Sequence, residues 1–155
     1  MDVIHLFYPI IDCITSIIES EAVAGGLLSS LKKVYSGSYQ VLPQSSYPAS
    51  TVVFTGSRIS GHPPRLEMEI NLSIGVFSIK PSQENSLQEL SVLAWDPAEG
   101  KGFLPLLIAN RSLVVDGTRY QVDVGNISIN RGTDSTRRYV WAMEIPLTMR
   151  TWAQY

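Results

Sequence analysis

From Tyr139 to Met149 every second residue is large and apolar: Tyr139, Trp141, Met143, Ile145, Leu147 and Met149. Val140, Ala142, Glu144, Pro146 and Thr148 stand between them, followed by Arg150. Period-two alternation over that length predicts a strand with one side on a core. Pro146 has no N–H for a ladder, so it is expected at a sheet edge or a bulge. A second long strand is predicted over 65–80. There Leu66, Met68, Ile70, Leu72, Ile74 and Val76 alternate with Glu67, Glu69, Asn71, Ser73 and Gly75. At Phe77 and Ile79 the apolar residues change parity. Either a bulge near Gly75 or burial of both faces at the strand's end accounts for the switch.

Elsewhere the period lengthens. Phe7, Ile10, Ile11, Ile14, Ile17 and Ile18 follow one helical face, with Asp12, Thr15, Ser16 and Glu19 opposite and Pro9 placed in the first turn. Gly25 and Gly26 break that run. Leu27, Leu28, Leu31, Val34 and Tyr35 then predict a second helical piece, ended by Gly37. Residues 36–50 read as a linker, 51–55 as a short interior strand, and 56–64 as a loop rich in turn residues. A helix carrying Leu87, Leu90, Leu93 and Ala94 is expected after Pro81, capped by Ser82 or by Ser86, which has capping-box spacing to Glu89. Another short helix over 103–109 has Pro105 in its first turn. Asp116-Gly117 is a hairpin signal. Strands over 120–130 and 136–152, joined by a turn at 132–135, complete an antiparallel meander.

The fold class expected is therefore α+β: a mostly antiparallel twisted β-sheet with N-terminal amphipathic helices and one or two further helices packed on it. One domain spans 1–155, with a helical part over 1–37 and a sheet over 51–155 into which helices are inserted at 83–110. A chain of 155 residues, 45% hydrophobic and 17% charged, is large enough for one core. Its net charge of −2 argues against a protein built mainly to grip nucleic acid. The apolar start carries Asp2 and no Lys or Arg, unlike a secretory signal, and it is too short and interrupted for a membrane span. Synthesis in the cytoplasm and no membrane partner are expected.

The search for chemistry is mostly negative. His5 and His62 are the only histidines, and no paired His or Cys spacing suggests zinc. The lone Cys13 lies in an apolar helical pattern and reads as a core residue. Ser29 and Lys32 have Ser-x-x-Lys spacing, without the companion motifs of acyl-transfer enzymes. Glu67 and Glu69 share a strand face, which reads as a solvated surface rather than an acid–base pair. No catalytic residue, metal ligand or cofactor site is expected. Arg131, Arg137 and Arg138 flank the tip of the last hairpin, with Arg150 and Trp152 further along the strand. They form either a solvated turn and tail or a surface that contacts a partner.

The order of elements carries the remaining signal. An N-terminal amphipathic helix leads through a Pro-containing linker to a short strand. A long strand, a helix and a meander ending in a long alternating strand follow. The segments Tyr47-Pro-Ala-Ser-Thr-Val-Val-Phe54, Glu69-Ile-Asn-Leu-Ser-Ile-Gly-Val76 and Tyr139-Val-Trp-Ala-Met-Glu-Ile-Pro-Leu147 lie at the positions that matter. This layout resembles the tail terminator (tail-completion) proteins of long-tailed bacteriophages, with residues 96–112 as a longer segment than the simplest members need. The resemblance implies a non-enzymatic virion protein. It would form a homo-oligomeric, hexameric ring that caps the tail tube and meets the head connector, with DNA passing through unread. Another tail or neck subunit (tube, baseplate or head–tail connector) and a monomeric α+β ligand-binding domain are the alternative readings.

Overall fold

The structure is a computed structural model and describes the backbone of residues 4–62, 64–133 and 138–154, with side chains described from residue 7 to residue 152 within those ranges. Its centre is the strand β7 (Tyr139–Gln154), whose Met143, Ile145, Leu147 and Met149 are buried. Strand β3 (Arg65–Ser78) lies antiparallel beside it from Arg65↔Gln154 to Ser78↔Trp141 and adds Ile70, Leu72, Ile74 and Val76 to the same face. Each such side chain contributes about 1.5–3 kcal/mol by leaving water. Eight of them in two adjacent rows make this ladder the spine of the core.

The sheet has the order β1-β2-β3-β7-β5-β4. Strand β2 (Ala49–His62) is antiparallel to β3, and β1 (Lys33–Ser36) is parallel to the start of β2. On the far side of β7 two strands share one edge. β5 (Thr118–Val124) covers Leu147–Arg150, and β6 (Ser128–Thr133) covers Tyr139–Glu144. β4 (Ser112–Val115) pairs with β5 through a tight turn in which Asp116 (φ 50°) and Gly117 (φ 80°) take left-handed conformations.

Helices cover one face. α1 (Ile4–Glu21) buries Ile10, Ile14 and Ile18, and Phe7 stacks on Phe54 with ring centroids 4.3 Å apart. α2 (Gln83–Ala94) is capped by Ser82, whose hydroxyl accepts from the Asn85 N–H at 3.2 Å. Ser86 is not the cap: it is buried inside the helix and donates to the Lys80 carbonyl. α3 (Phe103–Ala109) buries Phe103, Leu106 and Leu107. The α+β class with a mostly antiparallel sheet is thus observed.

Several boundaries differ from the sequence pattern. Pro9 lies inside α1, not in its first turn, because the helix begins at Ile4. No second helix forms over 27–35: turns lead to Leu31, and β1 follows. The chain leaves α1 through Gly25 in a left-handed conformation (φ 82°), and Gly26 then passes so close to α1 that a Cβ would lie 2.3 Å from the Glu21 carbonyl oxygen. The Glu21 carboxylate and carbonyl instead accept from the Leu27 and Leu28 N–H groups, each at 2.9 Å. Val34 and Tyr35 mimic helical spacing but point to opposite faces of a strand. The helical part therefore stops well before residue 37.

β2 starts at Ala49 and runs through the stretch read as a loop, 56–62, to form a long hairpin with β3. The ladder shifts register between Phe54 and Gly56, so the bulge belongs to β2 and not to Gly75. The parity switch at Phe77 and Ile79 reflects burial on both faces. These residues pack in a second cluster with Tyr35, Tyr39, Leu42, Tyr47 and Ala49, under residues 37–48 folded back across the sheet. The strand expected over 120–130 is divided into β5 and β6 at 125–127. Of the turn expected at 132–135, Gly132 and Thr133 belong to β6, and positions 134 and 135 lie outside the described residues.

Candidate functional site

The basic and aromatic residues singled out in the sequence separate into distinct environments. Arg131 stands over the rings of Tyr139 and Trp141, at 5.1 and 5.9 Å from their centroids. Arg138 donates to the Leu42 carbonyl at 2.8 Å and lies 5.4 Å from the centre of the Tyr47 ring. It ties β7 to the 37–48 segment. Arg137 lies outside the described residues. Arg150, twelve positions beyond Arg138, is about 40 Å further along an extended strand, at the opposite end of the sheet.

There Arg150 is drawn into a carboxylate cluster. It bonds Glu69 at 3.2 Å, approaches Glu67 at 3.4 Å and pairs with Asp123, joining three strands on the face opposite the helices. Arg58 reaches Glu69 from β2 at 3.2 Å. Glu67 and Glu69 are therefore not simply a solvated face, and the Glu69 side chain is only 14% exposed. Hydrogen bonding from Arg150 is the main reason that its carboxyl sits below the ordinary carboxylate range, with Arg58 adding to the effect. The same bond raises the Arg150 guanidinium further. This is an electrostatic clamp across a ladder. Its members lie far apart in the chain, and only strand register brings them together.

The candidate reagents do not converge. Cys13 is half-buried against the core, and desolvation pushes its thiol pKa up, opposite to what a nucleophile needs. Ser29 and Lys32 are exposed in turns, and His62 is exposed at the end of β2. The side chain of His5 lies outside the described residues. Among the described residues no group of three or more His, Cys, Asp or Glu is placed to hold a metal ion. No helix among them is long and apolar enough to cross a membrane.

Concave surfaces are more informative. An apolar groove of ≈ 380 Å³ lies where the 37–48 segment meets β6 and β7, lined by Tyr39, Val41, Phe77, Val140 and Ala142. At the other end a larger cleft of ≈ 840 Å³ opens between the β4–β5 hairpin and the end of β7, with Trp152 at its wall and 47% exposed. Of the residues proposed for partner contact, Trp152 lines the larger cleft. Neither groove has a period or motif that marks it in the sequence, because each forms between segments distant in the chain.

No protein-family model matches the chain, and no curated protein matches its sequence.

Proposed function

We propose that the protein is a structural, non-catalytic virion component that assembles into a ring, as the resemblance of its element order to that of phage tail terminators implies. The observation that carries this reading is the open outer edge of β2, at the end of the sheet where β2, β3 and β7 run on together. Past Phe54, β2 continues for about 25 Å with no strand on its outer side among the described residues. Ile59, on the same face as the core residue Ile70, is 68% exposed, so the helical layer ends short of the hairpin tip. A long arm with an unpaired edge is a liability in a free monomer and an asset in a subunit that pairs with neighbours. Closure of a ring requires two different, complementary surfaces on each subunit. The open β2 edge and the exposed strand β6 lie on opposite sides of the β3–β7 spine.

In this reading the ring caps a tail tube and faces a head connector in the virion, and DNA crosses its lumen without sequence-specific contacts. The net charge of −2 suits a passage that does not hold its cargo. Electron microscopy of the purified protein, alone and mixed with tail tubes, tests it. Rings, or caps at tube ends, are expected. Particles that stay monomeric and leave the tubes bare would sink the proposal. The apolar groove at Tyr39 and Phe77 favours a second reading, a monomeric ligand-binding domain. That reading predicts a monomer at all concentrations.

A further inference from the structure

The ≈ 840 Å³ cleft has an origin in strand register. β5 pairs with β7 from Val124↔Leu147 to Gln121↔Arg150 and then leaves it. Thr118, Arg119 and Tyr120 continue with β4 alone, while residues 151–154 of β7 continue with β3 alone. Two strands that part in this way leave two facing edges without ladder partners among the described residues. The cleft is lined from both, by Thr118, Arg119 and Tyr120 on one wall and Thr151 and Trp152 on the other.

The side chains add a sign. Asp123, at the closed end, is taken by Arg150. Arg111 and Arg119 remain on the wall, both exposed, and among the described residues Arg119 donates to the neutral Ser112 hydroxyl, at 2.9 Å, and not to a carboxylate. Asp116 stands in the hairpin turn, outside the lining. Among the described residues the cleft thus combines backbone edges without ladder partners, two cations without carboxylate partners and a half-exposed indole.

We propose that this cleft binds an extended, acidic peptide segment of a partner protein. The segment adds as a strand along residues 151–154, sets carboxylates against Arg111 and Arg119, and lays an apolar side chain on Trp152. Backbone edges favour a polypeptide over a nucleic acid, because only a peptide returns the N–H and C=O pattern of a missing strand. Guanidinium groups favour carboxylates, which match their forked donors. This inference does not depend on ring formation: a monomer could carry the same site.

The test uses the full chain and three probes: a blocked octapeptide alternating Val and Glu, its Val–Lys counterpart, and octathymidylate. Binding is read from backbone amide shifts. Saturable binding of the acidic peptide is expected, with the largest shifts at Thr118, Arg119, Tyr120, Thr151 and Trp152. The double variant Arg111→Glu with Arg119→Glu should weaken it by about tenfold, and circular dichroism should show that variant folded, since both side chains are exposed. No binding of the acidic peptide, equal binding of the Lys peptide, or preference for octathymidylate overturns the proposal. So does a shift of the same amides with protein concentration alone, which would assign the cleft to a second copy of the chain.

Discussion

Gly125 donates its N–H to the carbonyl oxygen of Pro146 at 2.8 Å, across the seam where β5 has ended and β6 has not begun. The N–H and C=O of one strand residue point to the same side. The missing donor of Pro146 therefore faces this seam, and the β3 side of β7 keeps an unbroken register through Ser73↔Pro146. A proline thus stands in the middle of a sheet without removing a ladder bond. Thr148 has the same parity but lies under β5, opposite Asp123. Pro146→Ala should change stability by less than about 1 kcal/mol, whereas Thr148→Pro should cost about 3 kcal/mol or more. Urea unfolding of the two variants compares them; equal effects would refute the assignment of the seam.

The Arg150 clamp has a pH dependence with a definite sign. Glu69 has its folded-state carboxyl held below the ordinary range, first by the hydrogen bond from Arg150. Its contribution is complete above the unfolded carboxylate pKa, near 4.3, and is lost as pH falls through the lower, folded value. Arg150→Gln should therefore lower the urea midpoint most near pH 7. The gap to the wild type should shrink on acidification below about pH 4, and also in high salt, since the cluster is partly exposed. A gap of constant size from pH 7 to pH 3 would mean that packing of the arginine stem, not its charge, is what matters.

What the sequence revealed depended on how local the cause was. The Asp116-Gly117 hairpin, the Ser82 cap and the alternation of β3 and β7 are set by neighbours a few residues apart, and each is legible. Leu28, Leu31, Val34 and Tyr35 have helical spacing, yet Gly26 packs on Glu21 and the chain becomes a strand. What makes 33–36 a strand is its parallel pairing with β2, a tertiary contact that leaves no period. The polar arm of β2, 56–62, reads as a loop because it overhangs the core and needs no apolar face. The Arg150 clamp and the cleft beside Trp152 depend on register between strands, which composition does not encode.

Gly102 tests how tightly the inserted helices dock. Its φ is 116°, and a Cβ there would lie 2.8 Å from the carbonyl oxygens of both Leu93 and Ala94. Its N–H also reaches the Leu27 carbonyl at 3.0 Å, which joins the start of α3 to the turn after α1. Gly102→Ala combines backbone strain with overlap against a helix end and should cost about 3 kcal/mol. For a chain of this size that lowers the melting temperature by roughly 6–12 °C. Calorimetry gives the answer, and a loss below 2 °C would show that α3 can shift away from α2.

Cys13 offers a chemical readout of the α1 interface. Its thiol is half-buried beside the core, and burial raises its pKa, so little thiolate is available at neutral pH. Reaction with an aromatic disulfide reagent at pH 8 should be at least about tenfold slower in the native protein than in urea. Equal rates would place the thiol in contact with solvent and detach this part of α1 from the sheet.

Arg138 is the basic residue whose replacement separates folding from docking. In the sequence it belongs to a hairpin tip, and charge reversal there is expected to weaken partner contacts while leaving the fold alone. Its guanidinium instead holds the Leu42 carbonyl and covers the Tyr47 ring, and Tyr47 in turn shares a 2.6 Å hydrogen bond with Tyr39. Tyr39, Leu42 and Tyr47 all belong to the second cluster, so loss of this tether should loosen it around Tyr35 and Ala49. Arg138→Ala is expected to cost about 1–2 kcal/mol, with faster amide exchange at Gln40 and Leu42 but not at Ile74 or Ile145. Arg131→Ala, which removes a cation stacked on the exposed Tyr139 ring and the half-buried Trp141 ring, should fall within about 0.5 kcal/mol of the wild type. If both variants proved equally stable, and exchange at Gln40 and Leu42 were unchanged, Arg138 would return to the surface available for a partner.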